Sequence, residues 1–133
     1  MTINVSDYIP LDRRDTNGAG TMAAVQLYGT TANVATVTQL TSRTTGVTIN
    51  APVGNIVLVS AANSATESTF TVTNSFVDAG DVILVTQKSG TDPRRIFVTA
   101  TAAGSFSVTS ASISGTTTES PVYNFAIIKG AIV

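Results

Sequence analysis

The sequence predicts an all-β protein, an antiparallel β-sandwich or jelly roll of about eight strands preceded by an extended N-terminal arm. Three observations predict it. Between residues 55 and 109 the chain is a succession of short pieces rich in β-branched and aromatic side chains: Asn55–Ser60, Thr69–Asn74, Asp81–Thr86, Ile96–Thr99 and Ser105–Thr109. Each ends in a cluster of Gly, Asn, Asp, Ser or Pro, as strands joined by short turns do. Two of the pieces alternate cleanly. Phe70 and Val72 point one way and Thr69, Thr71 and Thr73 the other, and Ser105–Thr109 repeats the pattern with Phe106 and Val108. Finally, no segment after Val34 is patterned as a helix long enough to cross over between parallel strands. The pieces that start at Ile56 and Val82 are apolar on both faces. Both faces should therefore be covered, by a second sheet or by a neighbouring chain.

Taken in order, residues 1–33 read as an arm and residues 34–133 as the sandwich domain. Met1–Pro10 has neither the basic n-region nor the apolar h-region of a secretory signal. No apolar run approaches the roughly 20 residues that span a bilayer, so no membrane partner is expected. Leu11–Gly20 is the densest charge cluster and is rich in turn residues. It reads either as a solvated arm or linker, or as an arm laid across another protein. In the second case Tyr8, Ile9 and Leu11 are its apolar anchors, and Arg13 and Arg14 pair with carboxylates. Thr21–Leu27 has room for one or two helical turns and no more. Val34–Leu40 is a strand, Arg43–Gly46 a turn and Val47–Asn50 a strand. Ala51–Gly54 interrupts the chain, because Pro52 lacks a donor for a central ladder. Ala61–Ser68 and Phe76–Gly80 are connections. Gln87–Arg95 is the longest polar hairpin tip and holds Lys88, Arg94 and Arg95, three of the seven basic residues. Ala102–Gly104 is a tight turn, Ser110–Ser120 is rich in Thr and Ser, and Val122–Ile128 is the last strand. No internal repeat of fixed period is present.

Composition narrows the chemistry. The chain has no cysteine, histidine or tryptophan. Thiol nucleophiles, imidazole acid–base catalysis and the usual zinc, copper or haem ligand sets are therefore excluded, and no cofactor is expected. Charged residues make up 11% of the chain and its net charge is −1. A nucleic-acid binder shows a basic excess instead, so no nucleic-acid partner is expected. So few charges leave strand edges with little mutual repulsion, which favours their closure by oligomerisation or docking. Asp78 and Asp81 beside Gly80 offer oxygens to a calcium ion, but such a site needs six to eight and the pair reads first as turn formers. Glu67 and Glu119 are the only candidates for a glycosidase-like carboxylate pair, and both read as solvated loop residues. No serine has a histidine to activate it, and no phosphate-binding loop occurs. An enzyme is not expected.

Several stretches together carry a resemblance: Thr36–Asn50, Ile56–Ala62, Thr69–Ser75, Ala103–Phe106, Gly115–Val122 and Asn124–Gly130. Over about residues 34–130 the chain resembles small β-sandwich structural proteins of tailed bacteriophages, of the capsid cement (decoration) or head-fibre type. The resemblance implies a homotrimer on the outer surface of the virion, made in the host cytoplasm, with the major capsid protein as partner and no catalytic residues. Low affinity per copy suffices there, because repeated contacts on a particle add through effective concentration. Candidate contact residues are Tyr8, Ile9, Leu11, Arg13 and Arg14 in the arm and Lys88, Arg94 and Arg95 at the hairpin tip. The alternative is a head-fibre or tail adhesin module that binds a host surface glycan. Against that alternative, Phe70, Phe97, Phe106 and Phe125 occupy core-like strand positions, which leaves Tyr8, Tyr28 and Tyr123 as the available phenols.

Overall fold

The computed structural model describes residues 34–130. Over them the chain is all-β, with no helix among the described residues. The strands are β1 Ala35–Thr38, β2 Val47–Thr48, β3 Val53–Val57, β4 Ala61–Ala62, β5 Ser68–Thr73, β6 Val82–Ser89, β7 Arg94–Ala102, β8 Ser105–Ser112, β9 Thr118–Glu119 and β10 Val122–Ile128. They form a four-stranded sheet in the order β1-β3-β10-β6, a second in the order β2-β5-β8-β7, and a two-stranded β4-β9 ribbon. Neither large sheet closes into a barrel. The arm, including Thr21–Leu27, lies outside the described residues.

Two expectations are corrected. Among the described residues there are ten strands rather than about eight, because β4 and β9 form a short ribbon of their own. The sheets are also mixed: β1 runs parallel to β3, and β2 parallel to β5. No crossover helix is needed, because β1, β2 and β3 alternate between the two large sheets. Each of these passages reverses the chain, so β1 and β3 run the same way, and β2 and β5 are separated by an excursion through β3 and the β4 ribbon strand.

Alternation places one face of each sheet in a shared core. Ile56, Ile83, Tyr123, Phe125 and Ile127 come from the first sheet, and Val47, Phe70, Val72, Phe106 and Val108 from the second; all are buried. Ile49, Leu58 and Val77 join them from the connections. The rings of Phe106 on β8 and Phe125 on β10 meet at 5.5 Å between centroids with their planes inclined at 54°. This tilted pair joins the two sheets and contributes about 0.5–1.5 kcal/mol beyond its area. Gly54 lies under the Phe125 ring. A Cβ there would stand 2.7 Å from Phe125 Cε1 and 2.7 Å from Ile49 Cδ1, so any larger residue must push these side chains aside.

Other boundaries moved for local reasons. β3 begins at Val53, since Pro52 bars only its own position from the ladder. The expected hairpin tip shrinks to Gly90–Pro93, because Gln87, Lys88 and Ser89 continue β6 and Arg94 already belongs to β7. The Ala103–Gly104 turn is as expected, with Gly104 at φ +83°. Two side chains are corrected in place. Phe97 is 49% exposed rather than core, and Tyr123 is fully buried rather than available. On β6 the second sheet covers only one face, and Val82 and Leu84 on the other face are exposed in the single chain.

Candidate functional site

The densest polar cluster is built on Asn63, which follows β4 directly. The β4-β9 pairing holds it in place, and its backbone N–H donates to the Thr117 carbonyl at 3.0 Å. Its side-chain amide is buried and divides its two ends by charge. Nδ2 donates to Asp92 Oδ2 at 2.9 Å and to Glu119 Oε1 at 2.6 Å. Oδ1 accepts from Arg94 Nη1 and, at 3.4 Å, from Arg43 Nη2. One amide dipole thus stands between two carboxylates and two guanidiniums that form no direct ion pair among the described residues.

The carboxylates are occupied from their other sides as well. Asp92, in the hairpin tip, accepts from Thr117 N–H at 2.9 Å and from Thr117 Oγ1 at 3.0 Å. Gly115, at φ +90°, passes so close to Asp92 that any side chain there would collide with the carboxylate. Glu119 on β9 accepts from the backbone N–H of Thr91, and from that of Asp92 at 3.3 Å. The Asn63 and Thr117 donors hold the Asp92 carboxyl below its ordinary pKa in spite of burial. For Glu119 the Thr91 N–H is the largest cause of the same direction, and burial again opposes it. The cluster therefore fastens the hairpin tip to the ribbon, and neither carboxylate is free to act as an acid or base.

The guanidiniums are served less completely. Arg94 Nε donates to Tyr123 Oη at 2.6 Å, and Tyr123 Oη donates to Ser110 Oγ at 2.8 Å inside the core. Arg43 Nη2 donates to the carbonyls of Ala61 at 3.0 Å and Glu119 at 2.8 Å, one on each strand of the ribbon. Arg43 Nε and Nη1 are buried with no partner among the described residues. Burial, and then the charge of Arg94, lower the Arg43 pKa against the smaller opposing influence of Tyr123 and Glu119. Beside the two arginines opens a cleft of about 230 Å³, lined also by Ala62, Ser64, Thr66, Glu67 and Ser68.

Elsewhere the sequence-derived candidates resolve differently. Asp78 and Asp81 face the ammonium of Lys129, which donates to both at 2.7 Å, so an amino group holds the place suggested for calcium. Burial pushes the Asp81 carboxyl up, but Lys129 and the N–H groups of Asp78 and Gly130 outweigh it and leave the carboxyl below its usual range. Glu67 pairs with Arg95 at 3.7 Å on the surface. At the tip, Lys88 and Arg95 are exposed, with Lys88 Nζ 3.2 Å from Asn55 Oδ1. Arg94 instead turns inward to Tyr123 and Asn63. Tyr8, Ile9, Leu11, Arg13 and Arg14 lie outside the described residues.

Two surfaces complete the description. On the outer face of the first sheet, Ala126 stands opposite both Val53 and Leu84, and Ile128 opposite Val82. By the alternation of β1, Val34 shares this face. Val34, Val82, Leu84 and Ile128 are 46–54% exposed, so an apolar band crosses the sheet from Val34 to the β6 edge. The outer face of the second sheet is covered by hydroxyls instead. Thr69 and Thr109 are linked at 2.7 Å and Thr99 and Thr109 at 3.1 Å, and Phe97 stands exposed opposite Thr109.

No family model, curated protein or solved structure matches this chain.

Proposed function

We propose that this chain is a virion structural protein, a capsid cement (decoration) subunit that binds the major capsid protein on the outer surface of a bacteriophage head as a homotrimer. The two large sheets are read as the layers of a β-sandwich. Their parallel pairs favour a sandwich over a jelly roll, whose neighbouring strands are antiparallel. The observation that carries the reading is the apolar band of exposed Val34, Leu84, Val82 and Ile128, bridged by half-buried Val53 and Ala126. A chain with so few charges does not keep such a band in solvent, and neighbouring copies of itself are its natural cover. Support also comes from the phage-like stretches of sequence, and from a cluster whose carboxylates brace the fold rather than face a substrate. Attachment to the shell is assigned to Tyr8, Ile9, Leu11, Arg13 and Arg14 of the arm, with Lys88 and Arg95 as a second, exposed basic contact.

Deleting residues 1–20 should leave a folded oligomer by circular dichroism and light scattering, yet lower decoration of capsids in a co-sedimentation assay. Full decoration by the truncated protein would move attachment to the β-domain. A second reading, a head-fibre or tail adhesin module, is favoured by one observation: Phe97 is an exposed aromatic among threonine hydroxyls, the surface a glycan ring stacks on. Binding to a host-surface glycan that is lost in Phe97→Ala would select it.

A further inference from the structure

Asn63 Oδ1 is a single acceptor shared by two arginines, and a cleft opens beside them. Each other element of the cluster is satisfied within the fold. Asp92 and Glu119 are filled by backbone and amide donors, and the Arg43 fork reaches two ribbon carbonyls through a single nitrogen. What the two arginines leave over is N–H donors on positive groups; the other buried unpartnered atom among the described residues, Gln39 Oε1, is an acceptor outside the cleft lining. Arg43 keeps two buried nitrogens without an acceptor, and Arg94 uses Nε and Nη1 but makes no hydrogen bond through Nη2 among the described residues.

The cleft lining fits the same chemistry. Ser64, Thr66 and Ser68 bring short hydroxyls, and Ala62 adds no charge. Glu67 is the one carboxylate of the lining, and Arg95 offsets it from outside the cleft. A space of about 230 Å³ holds a small anion with a water or two but no drug-sized apolar ligand. Unpaired buried guanidinium groups are costly, and an oxyanion is the partner whose planar or tetrahedral oxygens match their fork.

We infer that the cleft between Arg43 and Arg94 is an oxyanion-binding site, sized for a phosphate or sulfate group or for a carboxylate on a larger molecule. The inference does not depend on the virion reading. The anion bridges the turn that carries Arg43 and the start of β7 that carries Arg94, and the Ser64–Ser68 hydroxyls complete its shell. Asn63 Oδ1 already holds the two arginines together, so binding needs only a local side-chain shift that turns the sealed Arg43 Nε and Nη1 towards the cleft.

The experiment is an amide-resolved NMR titration of the full chain with sodium phosphate, sodium sulfate and sodium acetate, each against sodium chloride at matched ionic strength. Saturable shifts are expected at Arg43, Arg94 and Ala62–Ser68, with one equivalent of anion per chain. Phosphate and sulfate exceeding acetate would identify a tetrahedral group, and the reverse order a carboxylate. Arg43→Lys, which keeps the charge but loses the fork, should weaken binding at least tenfold, and Arg94→Gln should do the same. Shifts that merely track ionic strength, or that spread over the surface without saturating, would overturn the inference. The wild-type titration gives that answer even if neither variant folds.

Discussion

Gly54 gives the sharpest test of how the two sheets meet. In Gly54→Ala the new methyl would stand 2.7 Å from Phe125 Cε1, 2.9 Å from Cζ and 2.7 Å from Ile49 Cδ1. Carbon atoms in good contact are about 3.5–4.0 Å apart, so roughly 0.8 Å must be found. The Ile49 methyl is the far end of a flexible side chain and can rotate away. The Phe125 ring cannot, because Phe106 of the other sheet stands against it. Overpacking of this kind costs about 1–3 kcal/mol, against about 0.5–1 kcal/mol gained by replacing glycine within a strand. The balance is destabilising by up to about 2.5 kcal/mol. At about 4–8 °C per kcal/mol for a domain of this size, Tm should fall by up to about 20 °C. The assay is thermal unfolding at one fixed protein concentration, as a mutant cycle with Phe125→Leu. Removing the ring should relieve the clash, so Gly54→Ala should be close to neutral in the Phe125→Leu background, a coupling of about 1 kcal/mol. A stabilising Gly54→Ala, or strict additivity with Phe125→Leu, would refute the packing of β3 under Phe125.

Two further outcomes follow from the surfaces and charges. Light scattering at micromolar concentration should show a trimer, and Leu84→Glu, which places a charge in the exposed band, should shift it to monomer without loss of β-structure; a monomeric wild type would contradict the subunit contact. The carboxyls of Asp92, Glu119 and Asp81 all lie below their ordinary values in the fold. Their contribution is therefore present above about pH 5 and lost as pH falls through the lower folded values, whereas Lys129 runs the other way. Its pKa is raised, by Asp78 first and then Asp81, so its contribution is present below about pH 10 and lost as pH rises through the folded value. Urea midpoints measured from acid to alkali should show both limbs, and Lys129→Met should flatten the alkaline one; a flat wild-type acid limb would count against the Asn63 cluster.

Much of the fold was legible because alternation is local. Thr69–Thr73 and Ser105–Thr109 declared their inner and outer faces, and Ala103–Gly104 its turn. Where three apolar residues run together the pattern goes silent: in Ile96-Phe97-Val98 either the middle or the flanking pair can face the core, and the sheet packs the half-buried flanks against it. The parallel pairs were hidden because they arise from passages between sheets, which leave no helical signature. The Asn63 cluster was hidden for a related reason. Its members come from a turn at Arg43, the end of the ribbon, a hairpin tip and β9, segments up to 76 residues apart, and no spacing in the sequence joins them. Its only local sign was the small-residue run around Gly115, and the collision that any side chain would meet there explains that glycine.

Cryo-electron microscopy of the intact particle that carries this chain tests the central claim most directly. The proposed role predicts density for a three-fold assembly of the β-domain at fixed positions on the outer capsid surface. The apolar band should lie between copies, and residues 1–33 should run onto the major capsid protein. A bare head, with the chain found at a tail tip or absent from the particle, would contradict it.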